Sequence, residues 1–455
     1  MWNPGKTGKS GDHTIDRHSG FPVNIQVQVR RKSEVGFPVQ SSCLSHRKSL
    51  LAVSSPRWDR LRPLTLAVAV AATLFAARVA YAQVPASAPE RRSEVYHGLP
   101  ITKFYDSPVP LPIAKPGALI RSEEFDEYEL PFSVSAVRIL YHSKSASGDD
   151  VAASGVVLFP YGKKPPLGGW PVIAWAHSPV GVARACAPSL MRNVGHGPVL
   201  AMYVNLGYAV VAPDYTGLGT KFRNAFLDGP SNATDVIHSV TAARAAVPQL
   251  GAKWVVMGES EGGLTAVAVA EKENEIRDSG YLGGIAISDL AGAKEIYGSV
   301  TPGPSSLMLI SLAYGIKTVY PQFEITDMLT EKALALYRDI EQRCSQARTV
   351  SEMSSLQTVK PRWESNTFVR QYFVRNEPGQ ARAYGPILVI SGNADQSRLA
   401  TTTQAIARMC KQGDQVQWEQ YPAPDPGSVL GNSVRDQIGW IEGRFGGRPS
   451  ATNCR

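Results

Sequence analysis

The pentapeptide Gly258-Glu259-Ser260-Glu261-Gly262 constrains this chain more than any other segment. The apolar run Trp254-Val255-Val256-Met257 precedes it, and residues 263–271, mostly small, suit the start of a helix. A serine between glycines at a strand-to-helix junction is the pattern of a nucleophile elbow. The tight turn presents the hydroxyl at the end of a sheet and admits only small neighbours. A serine hydroxyl is a weak nucleophile until a base takes its proton, and around such an elbow the acid and the histidine follow the serine in the chain. This chain has eight histidines, and the last is His238. The sequence announces a chemistry and withholds, after Ser260, the imidazole that completes it.

The rest of the pattern says what kind of sheet carries the elbow. Strand-like runs occur at 136–142, 151–159, 171–177, 209–212, 254–257, 284–288 and 387–391, with a helix at 233–246. Continuous Val/Ile runs separated by helices are the mark of a parallel sheet covered on both faces. The expected class is α/β, a doubly wound and mostly parallel sheet. Residues 83–130 are rich in proline and read as an extended lead-in. Residues 291–384 show no clear strand, while 305–314 and 330–344 are helical with much apolar surface. They read as a helical cap inserted before the strand that bears the acid, with lids as the functional model and a static packing subdomain as the alternative. The expected division is therefore 83–290 and 385–455 for the core, and 291–384 for the cap.

The net charge of +8 excludes less than it suggests and then excludes more. Residues 1–82 carry 12 Lys+Arg against 4 Asp+Glu, and the remaining 373 residues carry 35 of each sign. A neutral body has no electrostatic footprint for nucleic acid. The excess belongs to a leader. Arg57, Arg60 and Arg62 precede a run of 14 mostly apolar residues, 64–77, and Ala80-Tyr81-Ala82 offers a cleavage site before Gln83. Residues 57–82 thus read as a signal peptide, too short for a membrane span, and the mature protein is expected outside the cytoplasm, cleaved near Ala82. Residues 1–56 read as an extension upstream of a true start near Leu51 or Val53, or else as a disordered segment.

Export gives the cysteines a meaning. Cys43 lies in the leader, and Cys186, Cys344, Cys410 and Cys454 remain, an even number for an oxidising compartment. Four cysteines allow three pairings. A Cys410–Cys454 bridge would fasten the C-terminal tail and leave Cys186 with Cys344; four free thiols are the alternative. No clustered Cys/His spacing points to a metal, and the chemistry calls for no cofactor.

Ser260 is the expected nucleophile. Asp395 is the expected acid, at the end of Ile387-Leu388-Val389-Ile390-Ser391-Gly392-Asn393-Ala394-Asp395, where a strand's C-terminal end faces the ligand crevice; a helix N-cap is its alternative role. The oxyanion hole needs two amides. Glu261 follows the nucleophile, and Ser178 is preferred in His177-Ser178-Pro179 because Pro179 has no N–H. The Glu261 carboxylate is expected to point outward from the first helical turn, where negative charge is favoured. Glu259, Glu261 and Asp425 are weak substitute bases, and His177 is expected to be structural. Asn232-Ala233-Thr234 matches a glycosylation acceptor.

Over roughly residues 95–447 the chain resembles the secretory lipases of the α/β-hydrolase fold. The resemblance rests on Trp175-Ala176-His177, Cys186-Ala187-Pro188-Ser189, Asp214-Tyr215 with Gly217-Leu218-Gly219, the elbow, and Ser391 to Asp395. The Cys410 to Cys454 spacing also looks like a bridge of that family. The resemblance implies hydrolysis of lipid or small ester substrates, with transient contact to a lipid interface through the cap. It also implies a histidine in a segment that here reads Tyr421-Pro422-Ala423-Pro424-Asp425-Pro426-Gly427-Ser428, and Pro426 stands at that position. Two readings follow: a lipase-type ester hydrolase with weak or absent activity, or a non-catalytic lipid- or ester-binding protein on the same fold. A peptidase or acyltransferase would share these motifs. Oligomeric state is not legible in the sequence.

Overall fold

The Val/Ile runs that cannot stay in water form the centre of one sheet. The computed structural model describes residues 98–422 and 426–454, apart from 288–289, 291, 293, 295–304, 343 and 345–356. The leader and its cleavage site lie outside the described residues. Nine strands pair in the order β1-β2-β3-β5-β4-β6-β7-β8-β9. They are β1 (Leu119–Glu124), β2 (Val134–Lys144), β3 (Asp150–Pro160), β4 (Trp170–Ala176), β5 (Ala209–Pro213), β6 (Leu250–Glu259), β7 (Tyr281–Ile287), β8 (Ile387–Gly392) and β9 (Val416–Tyr421). The pairs from β1 through β3 to β5 are antiparallel, and those from β5 through β4 and β6 to β9 are parallel. Val172, Ile173, Val210, Val211, Val255, Val256, Ile285, Leu388 and Val389 have essentially no exposed surface.

Two strands correct the sequence reading. β1 lies inside the expected lead-in, where Arg121, Ser122, Glu123 and Glu124 hide it: it is a polar edge strand on β2. β9 is the other edge, with a sequence, VQWEQY, that has no apolar run. Edge strands face water on one side, so they need not carry the apolar signal of central ones.

The chain visits β4 before β5 and then crosses back over β4 to β6. The strand order therefore reverses at β4, and the C-terminal ends of β4 and its neighbours are the place where open α/β sheets bind ligands. Helices α1 (Gly197–Asn205), α2 (Gly229–Ala246) and α3 (Glu261–Ile276) follow the strands on this side. Asp228 caps α2 by accepting from Ser231 N.

Beyond β7, helices α4 (Ser305–Val319), α5 (Glu331–Arg338) and α6 (Thr367–Arg375) enclose a second apolar cluster. It includes Leu309, Ile310, Phe323, Trp363, Val369 and Tyr372, and it takes in Val182, Phe226 and Leu227 from the core segments. Among the described residues, the only β-pairing here is the isolated bridge Leu329–Val359. The helix expected over 330–344 stops at Arg338 and ends in a single tight turn, Ile340–Gln342; of that turn only Ile340 is buried, so no apolar face prolongs the helix. The chain returns through β8, α7 (Gln396–Gln412), β9, α8 (Pro426–Asn432) and α9 (Val434–Phe445). Disulfides join Cys186 to Cys344 and Cys410 to Cys454, each with Cα atoms 5.2 Å apart. The first ties the segment after β4 to the chain just beyond α5, and the second ties the end of α7 to the tail.

Among the described residues, no helix is long and apolar enough to cross a membrane.

Candidate active site

Ser260 lies between the end of β6 and the start of α3 in a conformation that only a well-packed turn can hold, φ 57° and ψ −117°. The two elbow glycines explain how. A Cβ on Gly262 would collide with the carbonyl of Ala176, and one on Gly258 would strike the carbonyl of Gly262 and lie 2.8 Å from the Ala176 side chain. Backbone touches backbone at this turn, so no larger residue fits. Ser260 N donates to Ile287 O at 3.0 Å, which fixes the turn to β7. The Ser260 side chain is half-buried and makes no capping bond to α3.

β4 lies beside β6 with Ala176 opposite Gly258, so His177 and Ser178 come out next to the elbow. The buried His177 ring turns the other way. Its Nδ1 meets Ser178 O at 2.7 Å and its Nε2 meets Asp214 O at 3.1 Å; Asp214 follows β5, on the far side of β4 from β6. The ring also stacks on Tyr215, with centroids 4.0 Å apart. Burial lowers its pKa to about 4 against the pull of those two carbonyls, so the ring is neutral and donates its single N–H to one of them. Asp214 serves the same loop: it accepts from Ser154 Oγ and from the amide and hydroxyl of Ser189. The segments Cys186–Ser189 and Asp214–Tyr215 therefore form one internal brace.

Ser178 is half-buried, and its hydroxyl donates to the Glu259 carboxyl. Burial raises the Glu259 pKa against that bond. Glu259, the last residue of β6, thus ties the loop after β4 to the strand end that precedes Ser260.

Glu261 corrects an expectation. Its side chain points inward, not out to solvent, and is buried. Its Oε1 accepts from Leu227 N at 2.9 Å and from Asn232 Nδ2 at 2.8 Å. Burial pushes its pKa up to about 7 in spite of those bonds. The first-turn rule describes exposed helix ends; here two donors 34 and 29 residues upstream draw the carboxyl in. As the first residue of α3, Glu261 still has an amide without an intrahelical acceptor. The same contact disposes of the glycosylation reading, because Asn232 is buried inside α2 with its amide on Glu261.

The acid end is built differently. β8 and β9 run side by side, with Gly392 opposite Tyr421 and Asn393 N donating to Tyr421 O at 3.1 Å. The loop with Asp395 and the segment that leads to Pro426 thus leave the sheet from adjacent strands. Asp395 is the N-cap of α7: its Oδ1 accepts from Ser397 N at 3.0 Å and Arg398 N at 3.2 Å, and its Oδ2 lies 3.3 Å from Arg398 Nε. Its side chain is 56% exposed. Pro426 is the first residue of α8, a position where the missing N–H costs nothing. Asp425 lies outside the described residues.

The other described histidines have local partners. His142 Nδ1 meets Asp150 at 3.0 Å, His238 Nδ1 meets the Ser143 hydroxyl at 3.3 Å, and His196 packs edge-on against Trp175. Burial lowers the pKa of both His196 and His238. Among the described residues, no group of three or more His, Cys, Asp or Glu is arranged to hold a metal ion.

Comparison with known proteins bears on this geometry. The secretory lipase family pattern matches residues 198–453. Among solved structures, the fold is similar to Candida antarctica lipase A, with a TM-score of 0.65 at 16% identity over 78% of this chain and 89% of that one. It is also similar to the rice cell wall degrading esterase LipA from Xanthomonas oryzae, with a TM-score of 0.61 at 18% identity over 72% of this chain and 98% of that one. No curated protein matches the sequence. At these identities the structural likeness speaks for the fold, an α/β-hydrolase sheet.

Proposed function

The chain belongs to the secretory lipase family, and from that premise we propose that it is a secreted serine carboxylic-ester hydrolase scaffold whose base position is filled by Pro426. The observation that carries this is the backbone of Ser260, held at φ 57° at the crevice by glycines that touch the neighbouring strand. A turn residue with no chemistry has no need of a hydroxyl there. Ser260 would be acylated by a lipid or small ester. The amides of Ser178 and Glu261 would receive the oxyanion, and Asp395 would orient the imidazole. The adjacency of the β8 and β9 ends supports the pairing of Asp395 with position 426. The helices of 291–384, with their own apolar cluster, serve as the cap over the acyl chain. Residues 57–82 act as the signal peptide, a reading supported by the two disulfides.

With no histidine after Ser260, and with His177 held on backbone carbonyls, activity is weak or absent. The alternative, a binding protein for lipids or esters, draws on the same two facts. Hydrolysis of a short p-nitrophenyl ester by the mature chain tests the proposal, with Pro426→His beside it and Ser260→Ala as the blank. General acid–base catalysis contributes about a hundredfold or more, so Pro426→His should raise the rate at least that much. No gain over the blank would favour the binding protein. A parent already well above the blank would mean that another group serves as base.

A further inference from the structure

The turn that leads into α2 is gripped from two sides. From the cap, Tyr372 OH donates to Phe226 O at 2.5 Å, and Arg375 holds Asp228 with Nε at 2.7 Å and Nη2 at 3.0 Å. Gly229 N donates to Asn376 Oδ1 at 2.8 Å. The backbone of α4 lies so close at Gly315 that a Cβ there would come within 2.5 Å of Phe226 O. From the core, Leu227 N and Asn232 Nδ2 both donate to Glu261. Leu227 sits at φ 64°, and Ser260, one residue before Glu261, at φ 57°. Two backbones in the left-handed region, which bulky residues avoid, are joined by one carboxyl.

We propose that Glu261 is a positioning residue that transmits the seating of the cap, received through residues 226–228, to the backbone of the nucleophile turn. Its functional consequence rests on the serine-hydrolase reading; the coupling itself does not. An apolar residue at 261 would leave two buried donors without an acceptor, so the contact is specific to an acceptor of this length. The charged neighbours give the coupling a direction. Asp228 is the like charge that faces Glu261, and Arg375 of the cap compensates it. Tyr215 and Tyr372 are the other titratable groups that feel the Glu261 charge. With Arg375 removed, Asp228 stands uncompensated beside Glu261, so Glu261 takes up a proton more readily and its grip on Leu227 weakens.

Hydrogen exchange on the full chain tests this without requiring activity. Arg375→Gln, a change in the cap, should speed exchange in residues 258–264 about tenfold, within the range of coupling between sites. In Glu261→Ala the same change should have no further effect there. If that variant fails to fold, Glu261→Asp, too short to reach both donors, takes its place. Glu261→Gln keeps an acceptor and should restore the coupling while removing its pH dependence between pH 5 and 8. The proposal is overturned if Arg375→Gln loosens 225–232 but leaves 258–264 unchanged, or if its effect on 258–264 is the same with Ala at 261. In the Pro426→His background, Glu261→Gln should alter the pH profile of kcat and spare KM. If Pro426→His is itself inactive, the hydrolase reading fails, while the exchange result still decides the coupling.

Discussion

The turn at Ser260 is buried and pinned by two strands and a helix, whereas the loop that carries Asp395 lies in solvent and is pinned by a helix cap and one backbone bond to β9. At the first, Gly262 is demanded by backbone contact with Ala176 and Gly258 by backbone contact with Gly262, and Glu259 and Glu261 are buried. At the second, Asn393, Ala394, Asp395, Gln396 and Ser397 are all exposed. The difference separates what packing requires from what it leaves free. The elbow glycines are requirements of packing, so their presence would outlast the loss of activity. Ser260 is another matter. Its hydroxyl caps nothing, and glycine would adopt its backbone more easily. Within the elbow, the serine alone speaks for chemistry.

The contrast breaks if the buried end tolerates a methyl group. Gly262→Ala forces two backbones apart and should cost about 3 kcal/mol or more. Asp395→Ala, which removes a cap, should cost about 1 kcal/mol. Urea unfolding at unchanged m-value measures both. Equal costs would mean that the elbow relaxes as freely as the exposed loop.

Titration sharpens the picture of the buried end. Burial lifts Glu261 to about 7 from an ordinary value near 4.5. A carboxyl raised by folding contributes stability that is full below the unfolded value and lost as pH climbs through about 7. The shift corresponds to about 3 kcal/mol at most. Glu261→Gln cannot ionise and should flatten that part of the decline between pH 5 and 8. An unchanged slope would place the carboxyl in contact with water.

A smaller effect addresses Ser260 directly. Strained backbones cost about 1–3 kcal/mol, and glycine gives back about 0.5–1 kcal/mol of that in entropy. Ser260→Gly should therefore stabilise the protein by about 1 kcal/mol while abolishing covalent labelling by a fluorophosphonate in the Pro426→His protein. A destabilised Ser260→Gly would show that the hydroxyl is structural.

What was legible in the sequence follows the same division. The central strands announced themselves because both their faces are buried, which demands unbroken Val/Ile runs. β1 and β9 did not, since edge strands with one wet face carry Arg121 or Gln417 as readily as Val. The elbow was legible because backbone contact there leaves only glycine. Glu261 was misplaced because its partners, Leu227 and Asn232, belong to another helix and its lead-in turn, and no local rule sees them. Helix α6 was missed although Phe368, Val369, Tyr372 and Phe373 recur at helical spacing. The period was present, but Arg370, Gln371 and Arg375 break it into pieces too short to read as a run.

The smallest change in stability carries the sharpest question about the acid end. Asn caps a helix about as well as Asp, and the Asp395–Arg398 pair is exposed, so losing it costs about 0.5 kcal/mol or less. Asp395→Asn should therefore leave the unfolding midpoint almost where it was. Its effect on turnover is a separate matter. In the Pro426→His protein, an asparagine at 395 would hold the imidazole in the wrong tautomer, a defect of about ten-thousandfold in a serine triad. A normal midpoint with collapsed turnover would separate the two roles of Asp395 and assign it both. A normal midpoint with normal turnover would leave Asp395 a cap alone. The restored histidine would then be working without a carboxylate from β8, and the resemblance between the two ends of the site would stop at the sheet.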